Sequence, residues 1–362
     1  MIKARFSSKR LFITLLILAV MILSGLQCFG KINQVNAKAQ NRKSRIYIGY
    51  DNEIWAINTK SGHYECVRKN KEKVYGPSGN LTRVGNYLYY DQSGPNEKGW
   101  WICRYDLNKG KEEHLALGSR PDISGGKIYY SILDKKSENQ SIEDDEPMSY
   151  SGIGCMNLDG SEQKQICQYR PGTFIRNGKI YLFDEYKLYG VDTSKDALNE
   201  LASFNKNSDD IEIEEVWSIK DQLYINYIDF TTRSKTDPKA NNYAMLSRYN
   251  SKTGKVTDLG SYFRYNSGEV IYEILDAGSK SAIVDVYYGT KEAQKKNKAL
   301  GEVLSYTYRD GKTKSLFKMK DRDYFSFYFM NNRFAIGEMK LKSGKNVLSI
   351  YDRKKQVFND IP

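Results

Sequence analysis

Ile54-Trp-Ala-Ile-Asn-Thr59, Ile102-Cys-Arg-Tyr-Asp-Leu107, Ile153-Gly-Cys-Met-Asn-Leu158, Leu188-Tyr-Gly-Val-Asp-Thr193, Leu246-Ser-Arg-Tyr-Asn-Ser251, Leu304-Ser-Tyr-Thr-Tyr-Arg309 and Leu348-Ser-Ile-Tyr-Asp-Arg353 are seven copies of one phrase. Each copy is an apolar strand running into a polar turn. A short strand follows every turn, ending near Val67, Leu115, Ile166, Leu201, Leu259, Leu316 and Ile361. Strand-only units repeated at this spacing cannot bury their faces alone and must lean on their neighbours, which is the logic of a β-propeller. The sequence therefore predicts an all-β, seven-bladed β-propeller, with six blades as the alternative count.

Working outward from the phrase, a hairpin precedes it in most units. Asn177-Gly178, between Phe174-Ile-Arg and Lys179-Ile-Tyr-Leu-Phe183, is a two-residue turn that needs positive φ at both positions. Gly125-Gly126, Gly85-Asn86, Lys220-Asp221 and Asn331-Asn332 occupy the same place elsewhere. The aromatic pairs behind these turns, Tyr89-Tyr90 and Tyr129-Tyr130, read as packing between blades. Blade limits fall at about residues 45–70, 76–118, 119–169, 170–205, 211–262, 266–319 and 323–362. The first unit has no obvious inner strand. Either Val35, Ala37 and Ala39 supply one, or the blade has three strands, which is the expectation here.

The first residues are a different material. Lys3, Arg5, Lys9 and Arg10 precede an uncharged run from Leu11 to Gly30, so residues 1–30 read as a signal peptide or membrane anchor. Residues 31–44 read as a linker and 45–362 as the propeller. The expected location is extracytoplasmic, membrane-anchored through residues 11–30 if they are uncleaved, or secreted. Without those four basic residues the net charge falls from +12 to +8, which suits an anionic polymer or membrane surface. The basic residues are scattered and not gathered on one element, so nucleic acid is not expected as a partner. Cys66, Cys103, Cys155 and Cys167 lack the spacing of a zinc site and read as small buried strand residues.

Gly126-Lys-Ile-Tyr-Tyr-Ser131 paired with Ile153-Gly-Cys-Met-Asn-Leu-Asp-Gly160 is the sharpest single unit. In that form the blades resemble exported bacterial propellers of unknown function, themselves similar to the low-density lipoprotein receptor propeller. The resemblance implies a fold and an exported location. It implies no catalytic residue, and the Trp and Thr of the receptor's Tyr-Trp-Thr-Asp motif are unmatched here.

Four connections between the second and third strands are long: Ser93–Gly99, Lys135–Tyr150, Asp229–Tyr243 and Gly289–Leu300. All rise on one face, and loops on a rigid scaffold are where binding usually sits. The candidate binding residues on that face are Trp100, Trp101, Asp144, Asp145, Arg233, Lys235, Lys239, Lys295, Lys296 and Lys298. The expectation is a non-catalytic binding or assembly module that presents this face to a protein or an anionic cell-wall polymer. The alternative is an enzyme acting on envelope glycans or peptides, with carboxylates at the channel mouth. Only His63 and His114 are present, and G-x-S-x-G, P-loop and H-E-x-x-H patterns do not occur. No catalytic residue, cofactor or metal ligand is predicted. The adjacent acids Glu143 to Glu146 lack the alternation of a calcium loop.

Overall fold

The computed structural model describes residues 44–69, 76–77, 79–93, 99–137, 149–170, 172–184, 187–204, 211–219, 221–229, 242–265 and 270–361. These form seven four-stranded antiparallel sheets. Blade 1 holds β1 (Arg45–Tyr50), β2 (Glu53–Asn58), β3 (Tyr64–Arg68) and β4 (Gly79–Asn80). Blade 2 holds β5 (Thr82–Val84), β6 (Tyr87–Ser93), β7 (Trp100–Asp106) and β8 (Lys111–Leu117). Blade 3 is β9 (Ser119–Ser124), β10 (Lys127–Leu133), β11 (Tyr150–Asn157) and β12 (Lys164–Gln168). Blade 4 is β13 (Thr173–Arg176), β14 (Lys179–Asp184), β15 (Lys187–Asp192) and β16 (Ala197–Ser203). Blade 5 is β17 (Ile211–Ile219), β18 (Gln222–Asp229), β19 (Asn242–Asn250) and β20 (Lys255–Tyr265). Blade 6 is β21 (Val270–Ala277), β22 (Ser281–Tyr288), β23 (Gly301–Thr307) and β24 (Thr313–Met319), with a short helix α1 (Lys291–Asn297) between its second and third strands. Blade 7 is β25 (Arg322–Met330), β26 (Phe334–Leu341), β27 (Asn346–Asp352) and β28 (Val357–Ile361).

The repeated phrase is the third strand of every blade, and two of its features have structural causes. Its Asn or Asp folds the following turn: Asn58, Asp106, Asp192, Asn250 and Asp352 each accept backbone N–H bonds from residues two or three further on. Its first apolar residue sits at a β-bulge in the pairing with the outer strand, at Ile54/Trp55, Ile102/Cys103, Ile153/Gly154, Leu188/Tyr189 and Leu246/Ser247. Blade 6 bulges one residue earlier, at Val303/Leu304. A bulge raises the local twist, which inclines each outer strand against its neighbour. The two-residue turns also form as read. Asn177 and Gly178 take φ of 53° and 69°, and Gly125 and Gly126 take 57° and 76°.

Seven buried clusters occupy the seven interfaces between blades. Adjacent tyrosines divide between them, because successive strand residues point to opposite faces. Tyr90 packs between blades 1 and 2 and Tyr89 between blades 2 and 3. The cluster that closes the ring joins Ile48, Trp55 and Ile57 of blade 1 to Phe334, Ile336, Leu348, Ile350 and Ile361 of blade 7. Asn331 Nδ2 donates to Thr59 O at 2.7 Å and Tyr50 OH to Asn346 O at 2.7 Å across the same seam. All described strands of blade 7 come from the carboxyl end and all those of blade 1 precede blade 2, so among the described residues packing and side-chain bonds close the ring without strand exchange.

The ring has seven blades, not six. The expected three-stranded first blade is corrected too. Gly79–Asn80 pairs with β1 at Gly49 and Ile48, immediately before β5 begins the next blade. One short stretch thus serves two sheets. Residues 1–43, with the predicted anchor, the linker and the Val35–Ala39 alternation, lie outside the described residues. Among the described residues no helix is long and apolar enough to cross a membrane.

Candidate functional site

Of the residues singled out from the sequence, Asp144, Asp145, Arg233, Lys235 and Lys239 lie outside the described residues. Lys295, Lys296 and Lys298 are exposed, but not on a loop. They lie on and just past α1, where Thr290 Oγ1 accepts from Ala293 N and Lys298 terminates the helix in the left-handed region. Trp100 is half-buried at the start of β7. Trp101 faces blade 1 and stacks on His114, with centroids 5.3 Å apart and planes at 30°. That contact leads to a constellation the sequence did not announce.

Three strands of blade 2 and one of blade 1 build it. The pairing register sets Tyr90 of β6 opposite Cys103 of β7, and Cys103 opposite His114 of β8. The bulge at Ile102/Cys103 skips Leu115, so that His114 shares the face of Cys103 while Leu115 turns towards blade 3. Glu112, two residues before His114, falls on the same face. Arg68 enters from the end of β3.

Glu112 is the hub. Arg68 Nε lies 3.1 Å from its carboxylate, Gln92 Nε2 donates at 2.7 Å, Tyr90 OH donates as well, and His114 Nε2 stands 3.5 Å away. Arg68 Nη2 donates to Gln92 Oε1 at 2.9 Å. Arg68 Nη1 is buried and has no hydrogen-bond partner among the described residues. Burial alone would raise the Glu112 pKa. The bond from His114, the charge of Arg68 and the Tyr90 and Gln92 bonds outweigh it and hold the carboxyl below its ordinary value. Burial, then the Glu112 charge, pushes the Cys103 thiol well up, and the same two causes raise the Tyr90 hydroxyl.

The Cys103, Glu112 and His114 donor atoms all lie within 4.8 Å of one another, a separation a transition metal could span. The chemistry of the set does not fit one. A metal would need the Cys103 thiolate, which this environment disfavours, and would share Glu112 with a guanidinium already on it. The arrangement suits proton handling instead. His114 presents Nε2 to Glu112 at 3.5 Å, on a ring held by Trp101 and with 30% of its side chain exposed.

The expected pair of carboxylates in a pocket is not found in either main cavity of the described residues. One, of about 340 Å³, is lined around Tyr129, Tyr181, Leu201 and Tyr249 and has no carboxylate. The other, of about 500 Å³, has only Asp321.

No family model matches the chain. Among solved structures, a prolyl endopeptidase matches at 12% identity and a TM-score of 0.50, over 90% of this chain and 51% of that chain. An oligogalacturonate lyase in complex with manganese matches at 9% identity and a TM-score of 0.50, over 87% of this chain and 83% of that one. A nidogen/laminin complex gives a match at 12% identity and a TM-score of 0.38, over 74% of this chain and 91% of that one. The two likenesses at a TM-score of 0.50 show the fold. The chain spans about half the length of the prolyl endopeptidase. They also correct the expectation of a non-catalytic binding module, since the propellers that superpose at the higher score belong to enzymes.

Proposed function

We propose that this propeller is an enzyme acting on an anionic glycan, cleaving it by elimination with His114 as proton acceptor. The observation that carries the reading is the placement of a partly exposed imidazole 3.5 Å from the Glu112 carboxylate, which Tyr90 and Gln92 hydrogen-bond and Arg68 pairs. Hydrolysis by the usual route needs two carboxylates flanking the bond, whereas elimination from a uronic acid needs one base and a cation for the sugar's carboxylate. In that step the proton on the carbon beside the sugar carboxylate moves to His114. The freed C–H pair becomes a carbon–carbon double bond, the bond to the glycosidic oxygen breaks, and that oxygen takes a proton from water. The likeness to the oligogalacturonate lyase over most of both chains supports the substrate class, as does the net charge of +8 that remains of the chain's +12 without the four basic residues of its head. The basic head and apolar run of residues 1–30 favour a substrate in the cell envelope.

The test is product analysis after the full chain is incubated with polyuronates. Unsaturated ends, with no water added to the summed product mass, are expected. Products each carrying added water, or an untouched polymer, would overturn the reading. A second reading has its own observation: the match to half of a prolyl endopeptidase favours the propeller part of a peptide hydrolase. Cleavage of short peptides with polyuronates left intact would select it.

A further inference from the structure

The smaller cavity, of about 340 Å³, opens at the end of blade 4 where its two hairpins turn, on the face opposite the long connections. Lys179 follows the first turn and Thr193 sits in the second, while Tyr129 of blade 3 and Tyr249 of blade 5 lean in from either side. Its place has a cause in the sequence. The third residue of the repeated phrase carries a side chain in the other blades, from Ala56 to Tyr306, and is Gly190 in blade 4. Gly190 stands opposite Tyr181 in the pairing of β14 with β15, so β15 presents no side chain beside that ring. Leu201 of β16 leans over the gap instead, where a Cβ on Gly190 would meet it at 3.2 Å.

Two buried tyrosines give this cavity its chemistry. Tyr181 and Tyr249 are 5% and 3% exposed and both line it. Neither hydroxyl has a hydrogen-bond partner among the described residues, and neither is sealed off, so the little of each side chain left open includes its oxygen. A hydroxyl withdrawn from water without a partner costs free energy that an accepting ligand would recover. Burial pushes both hydroxyls up, and the nearby Tyr249 adds to the rise at Tyr181, so both remain protonated donors at neutral pH. Lys179 stands exposed at the mouth with no carboxylate partner among the described residues, and no acid lines the cavity. Ile166, Val191 and Leu201 are half-buried and give the rest of the wall an aliphatic surface.

We propose that this cavity is a binding site for a small organic carboxylate with an apolar body. The two phenols and the Lys179 ammonium supply donors and one positive charge to the carboxylate, and the aliphatic wall takes the body. A volume of about 340 Å³ lies at the lower end of small-molecule pockets, roughly 300–1,000 Å³, which suits a single small molecule and not a polymer. A cation would face Lys179 with no acid to pair it. A sugar acid would set its hydroxyls against Ile166, Val191 and Leu201. The site is independent of the glycan-acting reading above: the His114 cluster lies between blades 1 and 2, and no residue of either blade lines this cavity.

The experiment measures binding alone. Benzoate is titrated into the full chain and followed by ligand-observed NMR, with its neutral amide and glucuronate titrated under the same conditions. Tyr181→Phe and Tyr249→Phe remove only hydroxyls that bond nothing in the protein, so their thermal melts are expected to match the wild type's. Each variant loses a hydrogen bond to a charged acceptor, an expected fall in benzoate affinity of about 10-fold or more. Lys179→Ala loses an exposed ion pair, an expected fall of about 2- to 5-fold. The amide and glucuronate should bind more weakly than benzoate, and His114→Ala should bind benzoate as the wild type does. No binding of benzoate, unchanged affinity in both tyrosine variants, or an amide or glucuronate that binds as well as benzoate would overturn the site. A loss of binding in His114→Ala would overturn it too, by placing the anion at the other cluster. Turnover plays no part in the readout, so failure of this site and failure of the catalytic reading are distinguishable.

Discussion

Replacing Arg68 by Met tests whether Glu112 is held ionised as the proton-handling site requires. The guanidinium lies 3.1 Å from the Glu112 carboxylate and bonds Gln92 at 2.9 Å, with 11% of the Arg68 side chain and 21% of the Glu112 side chain exposed. Breaking a fully buried ion pair from one side costs about 3–5 kcal/mol, because the other charge is stranded. Here Tyr90 and Gln92 remain as donors and the carboxylate keeps some water, so about 2 kcal/mol is expected at neutral pH. The pH dependence carries a sign. In the wild type the folded Glu112 has a pKa below its ordinary value of 4.5, so its contribution is present above 4.5 and is lost as pH falls through the folded value. In the variant the Arg68 attraction is gone, so the folded carboxyl is held down less against the burial that raises it. The two proteins should therefore converge in stability on acidification. Urea unfolding followed by tryptophan fluorescence, at neutral pH and in steps below the ordinary carboxylate range, gives the difference as the carboxyl is protonated. A penalty below about 0.5 kcal/mol at neutral pH, or one that does not shrink in acid, would refute the reasoning.

Ring closure by packing makes the last interface as demanding as an internal one. Ile336→Ala at the blade 7/blade 1 seam and Ile225→Ala between blades 4 and 5 should each cost about 2–5 kcal/mol in chemical unfolding, whereas an open ring would spare the first. Two glycines with positive φ separate steric need from backbone preference. Gly172→Ala places a Cβ 2.2 Å from Phe183 O and should exceed the roughly 1–2 kcal/mol of the conformation alone, while Gly254→Ala, with open space around it, should cost no more than that. Equal thermal shifts for the two variants would contradict the geometry.

The fold was legible because each blade repeats the same small set of local devices. The Asn or Asp of the phrase folds its own turn, Asn177-Gly178 supplies two positive-φ residues, and paired tyrosines serve the two faces of one strand. None of these needs distant information. The inner edge of blade 1 was not legible, since Gly79–Asn80 is too short to show periodicity and lies beside the strand of another sheet. Helix α1 was read as loop because Lys291–Asn297 has no apolar stripe and no buried residue. Thr290 ahead of Lys291-Glu-Ala-Gln-Lys-Lys was a capping signal that could have found it.

The candidate site was hidden for a different reason. Arg68, Tyr90, Gln92, Cys103, Glu112 and His114 come from four strands, and a single skipped residue at Leu115 decides which way His114 faces. His114 was noted only as one of two histidines, because nothing in its own strand shows which residues of the neighbouring strands it meets. Trp101 was named as a binding-face candidate; the structure spends its ring on His114 and on the packing with blade 1. Lys295, Lys296 and Lys298 were placed in the connection between the second and third strands of their blade, where the structure has them exposed on and just past α1.

The most direct measurement is the rate at which unsaturated product absorbance appears when a polyuronate is mixed with the wild-type chain and with His114→Ala. General-base catalysis contributes about 10²–10⁴-fold, so the account predicts a steady rise for the wild type and a rate lower by at least about 10²-fold for the variant. Equal rates for the two proteins, or no product from either, would contradict it.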